Sequence, residues 1–177
     1  MLHLIKTKKI VKEWIYPTII ALVIALLINK FVFFLVVVPT GSMKPTIMPG
    51  DRLLITRVYD KEKLNRGDII VFYSDELEKT LVKRLIGLPK DNIVVKRDGT
   101  VYINDKKLEE PYIIRGYCTT GVFKVPEGKY LFLGDNRPNS FDSRGWENPY
   151  ISMDKIKGKA RFVVFPFDRL GKLNGIN

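Results

Sequence analysis

Residues 14–46 read WIYPTIIALVIALLINKFVFFLVVVPTGSMKPT. Positions 14–28 are an almost unbroken apolar run, Asn29 and Lys30 interrupt it, and positions 31–38 resume it. Trp14 and Tyr16 suit one membrane interface, and Lys30 snorkels to the other with Phe31 and Phe33 beside it. Residues 14–30 lie at the lower edge of the length a bilayer requires. Upstream, Lys6, Lys8, Lys9 and Lys12 face one acid, Glu13, so the positive-inside rule keeps this end in the cytoplasm. The expected organisation is a basic cytoplasmic tail (1–13), a transmembrane anchor (14–30) and an extracellular β domain (31–177). A cleavable leader is disfavoured, because bulky Phe and Val fill the positions where a small-x-small pattern would stand. A buried core helix is disfavoured by the lysine cluster and the aromatic flanks. No second apolar run of spanning length follows, so a single-pass protein is expected.

Beyond residue 30 the texture becomes strand-like. Residues 33–38, 52–58, 68–73, 81–88, 93–96, 100–103, 122–125, 129–133 and 160–165 are short runs rich in β-branched and aromatic residues. Gly, Pro, Asn and Asp clusters separate them. Asp98-Gly99, between Val94-Val95-Lys96 and Val101-Tyr102-Ile103, predicts a hairpin. Helical periodicity is weak outside the anchor. The pattern predicts a mainly β, antiparallel, partly barrel-like domain behind one N-terminal transmembrane helix.

Thirty Lys and Arg against nineteen Asp and Glu give a formal charge of +11, which points to nucleic acid or an anionic membrane surface. No helix-turn-helix, zinc-finger or RNA-binding sheet signature is present, so membrane lipid is the expected partner and nucleic acid is not. The lone cysteine, Cys118, has no intrachain disulfide partner and is expected as a small, partly buried residue. The one histidine, His3, precedes the apolar segment and is expected across the membrane from Ser42. Ser-His and Cys-His chemistry and histidine-ligated zinc are thereby removed from the outer domain. No metal or other cofactor is expected. A hydrolytic outer domain must take its base from a lysine or a carboxylate.

Three segments carry possible chemistry. Ser42 sits on a turn bracketed by Pro39 and Pro45, with Gly41 open to close approach and Thr40 as a second hydroxyl. It is either a plain turn residue or a nucleophile just outside the membrane. Lys83 shares a strand face with Leu81 and Leu85. It either snorkels to water or is buried, where desolvation lowers its pKa toward that of a general base. Positions 134–145, GDNRPNSFDSRG, are either turn formers or a loop holding Ser140, Asp142 and Arg144 at spacings of two. Ser140 could then bond a lysine amine, and Asp142 could pair with Arg144.

Together these segments resemble the type I signal peptidases, the Ser/Lys proteases that remove signal peptides from exported proteins. Thr40-Gly41-Ser42-Met43-Lys44-Pro45-Thr46, continued by Gly50-Asp51-Arg52, is similar to the family's nucleophile box. Gly67-Asp68-Ile69-Ile70-Val71-Phe72 and the run from Leu81 to Asp91 are similar to the strand pair that delivers the lysine, and Gly134 to Arg144 to the C-terminal box. The short chain is similar to the compact Gram-positive members. The resemblance implies Ser42 as nucleophile and Lys83 as general base. It implies an oxyanion hole from the Ser42 N–H and the Thr40 hydroxyl, and Ser140, Asp142 and Arg144 as supports. Met43 is implied close to the active site or the membrane surface. Pro138 departs from the acidic residue often found there, Thr40 from a frequent serine, and Lys90 from a common glycine. The implied substrates are the signal peptides of exported preproteins, with small residues at −1 and −3. A self-cleaving repressor-type protease would carry a DNA-binding module in place of the anchor. The alternative from a different class is an inactive membrane-anchored β scaffold, or a chaperone binding exported chains.

Overall fold

The computed structural model of the chain describes residues 11–60, 64–173 and 175. Residues 1–10, with His3, Lys6, Lys8 and Lys9, lie outside the described residues. The chain divides into two units, Met1–Phe34 and Leu35–Asn177.

The first unit is helical. A π-turn at Val11–Ile15 leads into α1 (Tyr16–Phe31). Pro17 occupies the first turn of α1, where its missing N–H removes no intrahelical bond. The Thr18 hydroxyl donates to the Trp14 carbonyl at 2.6 Å. No side chain of α1 is buried, and Lys12–Phe31 is long and apolar enough to cross a membrane.

Strand β1 (Phe33–Val37) begins at the unit boundary. It is followed by β2 (Arg52–Arg57), β3 (Ile69–Ser74), β4 (Lys79–Gly87), β5 (Asn92–Val95), β6 (Val101–Ile103) and β7 (Lys106–Lys107). Then come β8 (Gly121–Lys124), β9 (Lys129–Leu133), β10 (Tyr150–Ser152), β11 (Ile156–Phe165) and β12 (Gly171–Lys172). Eight of them form one sheet in the order β1-β2-β11-β3-β4-β9-β10, with β12 paired to β11; the other four form a second sheet, β7-β6-β5-β8. The pairings among β2 to β12 are antiparallel. Neither sheet closes on itself, so the barrel character is partial.

Period-two alternation sorts the large side chains onto two faces. On one, Leu85, Ile70, Phe72, Tyr130, Phe132, Ile151 and Ile156 gather around Trp146, with Leu77 and Leu81 at the margin. On the other, Ile86, Leu131 and Leu133 meet Ile93, Val95, Val101 and Ile103 of the second sheet. Phe72 stacks on Phe132 with centroids 4.3 Å apart and meets Trp146 edge-on at 6.1 Å. Gly87 lies where β4 and β9 shift register; a Cβ there would stand 2.8 Å from Leu131 Cβ and 2.9 Å from Val125 Cγ2. The predicted hairpin is present between β5 and β6, with Gly99 at φ +85° in its turn. Strands β7, β10, β12 and the first half of β11 are additional to those the sequence pattern indicates.

Phe72→Ala should lower the unfolding free energy by about 3–5 kcal/mol, because it opens a cavity against two other rings. Denaturant unfolding measures this; a loss below about 1 kcal/mol would show that the stack is not central to this core.

Candidate active site

The loop carrying Ser42 leaves β1 and returns to β2. Two backbone bonds close its neck: the Val38 N–H donates to the Asp51 carbonyl at 3.0 Å, and the Gly50 N–H to the Val38 carbonyl at 2.8 Å. The Asp51 carboxylate holds the loop inside, accepting from the Met48 N–H at 2.8 Å and from Arg169 Nε at 2.9 Å. Below the turn Met43 and Ile47 are wholly buried. Met43 is thus next to Ser42 in the chain with its side chain turned into the core. Burial of its apolar side chain makes it a peg that fixes the backbone next to Ser42.

Ser42 is 9% exposed, and its Oγ lies 3.5 Å from Thr40 Oγ1. Its carbonyl accepts from the Asn136 N–H at 3.0 Å, and the Gly41 carbonyl from the Asn136 side chain at 3.2 Å. Among the described residues no acceptor takes the Ser42 N–H.

Lys83 sits on β4 opposite Ile70, on the face of Leu81 and Leu85. Only 4% of it is exposed. Burial lowers its pKa to about 8; the Asp142 charge works against this shift and the Arg144 charge with it. Lys83 Nζ donates to Ser140 Oγ at 3.0 Å. No hydrogen bond joins Ser42 Oγ to Lys83 Nζ among the described residues; both side chains line one cavity of about 540 Å³. Catalytic hydrogen bonds are often long or poorly aligned before substrate binds.

The loop after β9 supplies Ser140 and its supports. Arg144 donates to both oxygens of Asp142 at 2.7 Å, and the Gly134 N–H donates to Asp142 Oδ2 at 2.9 Å. Burial pushes the Asp142 carboxyl up, but its bonds with Arg144 outweigh burial and hold it below the usual carboxylate range. Arg144 Nη2 also donates to the Arg137 carbonyl at 2.9 Å. A Cβ on Gly134 would stand 2.5 Å from both the Ser42 carbonyl oxygen and Ser140 Cβ, so only glycine allows the two loops to meet.

A second set of residues ties these loops together. Arg84, next to Lys83 but on the opposite face, is 1% exposed. It donates to Asp135 through Nε at 2.8 Å and Nη2 at 2.6 Å, and to the Gly67 carbonyl at 2.7 Å. Thr46, four residues after Ser42, donates to the same carboxylate at 2.5 Å. The Tyr112 ring lies 3.9 Å from the Arg84 guanidinium, and its hydroxyl donates to Glu110 at 3.0 Å. Glu110 pairs with Arg137 at 2.5 Å. The sequence held a signal for Asp135, inside the GDNR run, but none for Glu110 or Tyr112, which lie on the connection from β7 to β8.

A buried amine with a lowered pKa, a hydroxyl in the same cavity and a free backbone N–H beside that hydroxyl define a site equipped for acyl transfer. Residues 11–165 match the family model described as signal peptidase, peptidase S26. A signal peptidase I of Bacillus licheniformis is 43% identical over 172 residues, covering 90% of this chain and 91% of its own. Signal peptidase IB of Staphylococcus aureus is 37% identical over 180 residues, covering 90% and 92%. A solved signal peptidase I from Enterococcus faecalis is 34% identical, covers 55% of this chain and 96% of its own, and superposes with a TM-score of 0.49. The chain belongs to the signal peptidase family, peptidase S26.

Burying Lys83 costs stability wherever the amine is charged. Its folded-state pKa lies below its unfolded one, so the penalty is full below about pH 8 and gone above about pH 10.5. Lys83→Met should therefore be more stable than the parent by about 3 kcal/mol at pH 7, with the difference vanishing near pH 11. Thermal melts at the two pH values test this; an equal gain at both would refute the electrostatic origin.

Proposed function

We propose that the chain is a membrane-anchored endopeptidase that removes signal peptides from exported preproteins, with Ser42 as nucleophile and Lys83 as general base. The observation that carries the roles is the burial of Lys83, which brings its pKa to about 8 in the cavity it shares with Ser42. The family membership supplies the substrate class.

The neutral Lys83 amine takes the proton as Ser42 Oγ attacks the scissile carbonyl. The Ser42 N–H and the Thr40 hydroxyl receive the developing oxyanion, a contribution of about 3–4 kcal/mol per donor in comparable sites. Lys83 then gives its proton to the departing amine, and the signal-peptide carbonyl remains esterified to Ser42. Water, deprotonated by Lys83, attacks the ester and restores the serine. Ser140 holds the amine in place, and Asp142 with Arg144 holds the loop of Ser140.

The substrate's place follows from an open edge. Residues 79–83 pair with β3 on one side, while β9 pairs only from Arg84 onward. A cavity of about 320 Å³ runs between this edge and residues 36–40. An extended peptide entering there gains main-chain bonds, with Val36, Val38 and Leu81 as apolar walls for its side chains. Small residues at −1 and −3 are the expected occupants. Residues 1–13 are assigned to the cytoplasm, 14–30 to the anchor and 31–177 to the extracellular side, with lipid and not nucleic acid as the partner of the basic surface.

Ser42→Ala and Lys83→Ala should each cut no preprotein while keeping the parent's circular dichroism spectrum; full cleavage by either mutant refutes the pair. The kcat/KM for a signal-peptide substrate should rise with pH through a midpoint of about 8, because only the neutral amine accepts a proton. A maximum well below neutrality would exclude a lysine base.

A further inference from the structure

Two cavities meet at Ser42. Both are lined by Thr40, Ser42, Leu81 and Lys83, and they diverge from there. One is the apolar slot between residues 36–40 and 79–83. The other, about 540 Å³, is walled by Lys44, Asn136, Asn139 and Phe141. Its lining holds two lysines and no carboxylate.

Lys44 is two residues from the nucleophile and half-buried. Its stem lies back over Gly41, so that a Cβ on Gly41 would meet Lys44 Cδ at 3.4 Å and Cε at 3.2 Å. That places its aliphatic part against the backbone of the nucleophile turn. No described carboxylate pairs with its ammonium group. The neighbouring wall is fixed, because Asn136 is bonded to both Gly41 and Ser42 and receives the Asn139 side chain at 3.5 Å. A half-buried, unpaired cation on a rigid cavity wall is complementary to an anion brought in by the substrate.

A chain cleaved at Ser42 must extend in both directions from it. The apolar slot suits the small side chains on the acyl side. The second cavity, with Lys44 on the wall beside the Ser42 turn, is left for the residues after the bond, the start of the mature protein. Resting on Ser42 as the point of attack, we propose that this second cavity is the leaving-side subsite and that Lys44 makes it selective for an aspartate or glutamate just after the cleaved bond. A lysine there would meet the Lys44 ammonium group and be disfavoured.

The test uses the full-length protein in detergent and three peptides that share one acyl side and carry Asp, Asn or Lys as the residue just after the bond. The kcat/KM should fall in that order, with a spread of roughly tenfold from Asp to Lys, as for partly exposed charge pairs. The spread should collapse at about 1 M salt, where screening is nearly complete. Lys44→Glu should reverse the order. Equal kcat/KM for the three peptides, a spread indifferent to salt, or an unchanged order in Lys44→Glu overturns the subsite alone. Undiminished cleavage by Ser42→Ala instead overturns the point of attack, and this proposal with it. The salt series needs no variant, so it decides the matter even if Lys44→Glu fails to fold.

Discussion

The ion pair between Arg84 and Asp135 is the joint on which the site depends. Both side chains are out of water, so each would carry a large desolvation penalty without the other. Their pairing is bidentate, and the Asp135 carboxylate has room for a third donor, Thr46. Three stretches distant in sequence are thus pinned to one carboxylate: the nucleophile turn, the strand of the base and the loop of Ser140. Tyr112 covers the guanidinium, and its hydroxyl leads on to Glu110 and Arg137, which extends the joint under the second sheet.

The adjacent residues Lys83 and Arg84 divide chemistry from architecture. Strand alternation turns them to opposite faces, and the difference between their side chains does the rest. An ammonium group can give up its proton when buried, so the lysine is suited to the face where a neutral base is needed. A guanidinium stays charged in any protein interior, and its planar fork matches a carboxylate, so the arginine is suited to the joint. Exchanging the two would leave a base that cannot deprotonate and a joint with one fewer donor.

Most of this was legible in the sequence wherever one local signal sufficed. The hairpin at Asp98-Gly99 and the alternation through β4 were written in turn formers and large apolar residues. The first half of β11 was not, because its inward residues include Gly158. A Cβ there would meet the backbone of Thr56 and the side chain of Ile55, which only the folded sheet reveals. Lys83 with Ser140, and Asp142 with Arg144, came together as their spacing and the family resemblance suggested. Glu110 and Tyr112 were invisible because Leu108-Glu109-Glu110-Pro111-Tyr112 is ordinary loop composition. Their importance comes from contacts with residues 27 and 28 positions away in sequence, Arg137 and Arg84.

The unpaired edge of β4 has a consequence for timing. A gap that accepts a strand by its main chain can admit only a segment whose own amides and carbonyls are free. A junction already coiled into a helix, or already paired within a folded passenger, offers none. Cleavage and passenger folding would then compete for the same stretch of backbone, and a protein that folded up to its first residue too early would escape the enzyme whatever its sequence. Discrimination at this edge is therefore as much a reading of chain state as of side chains.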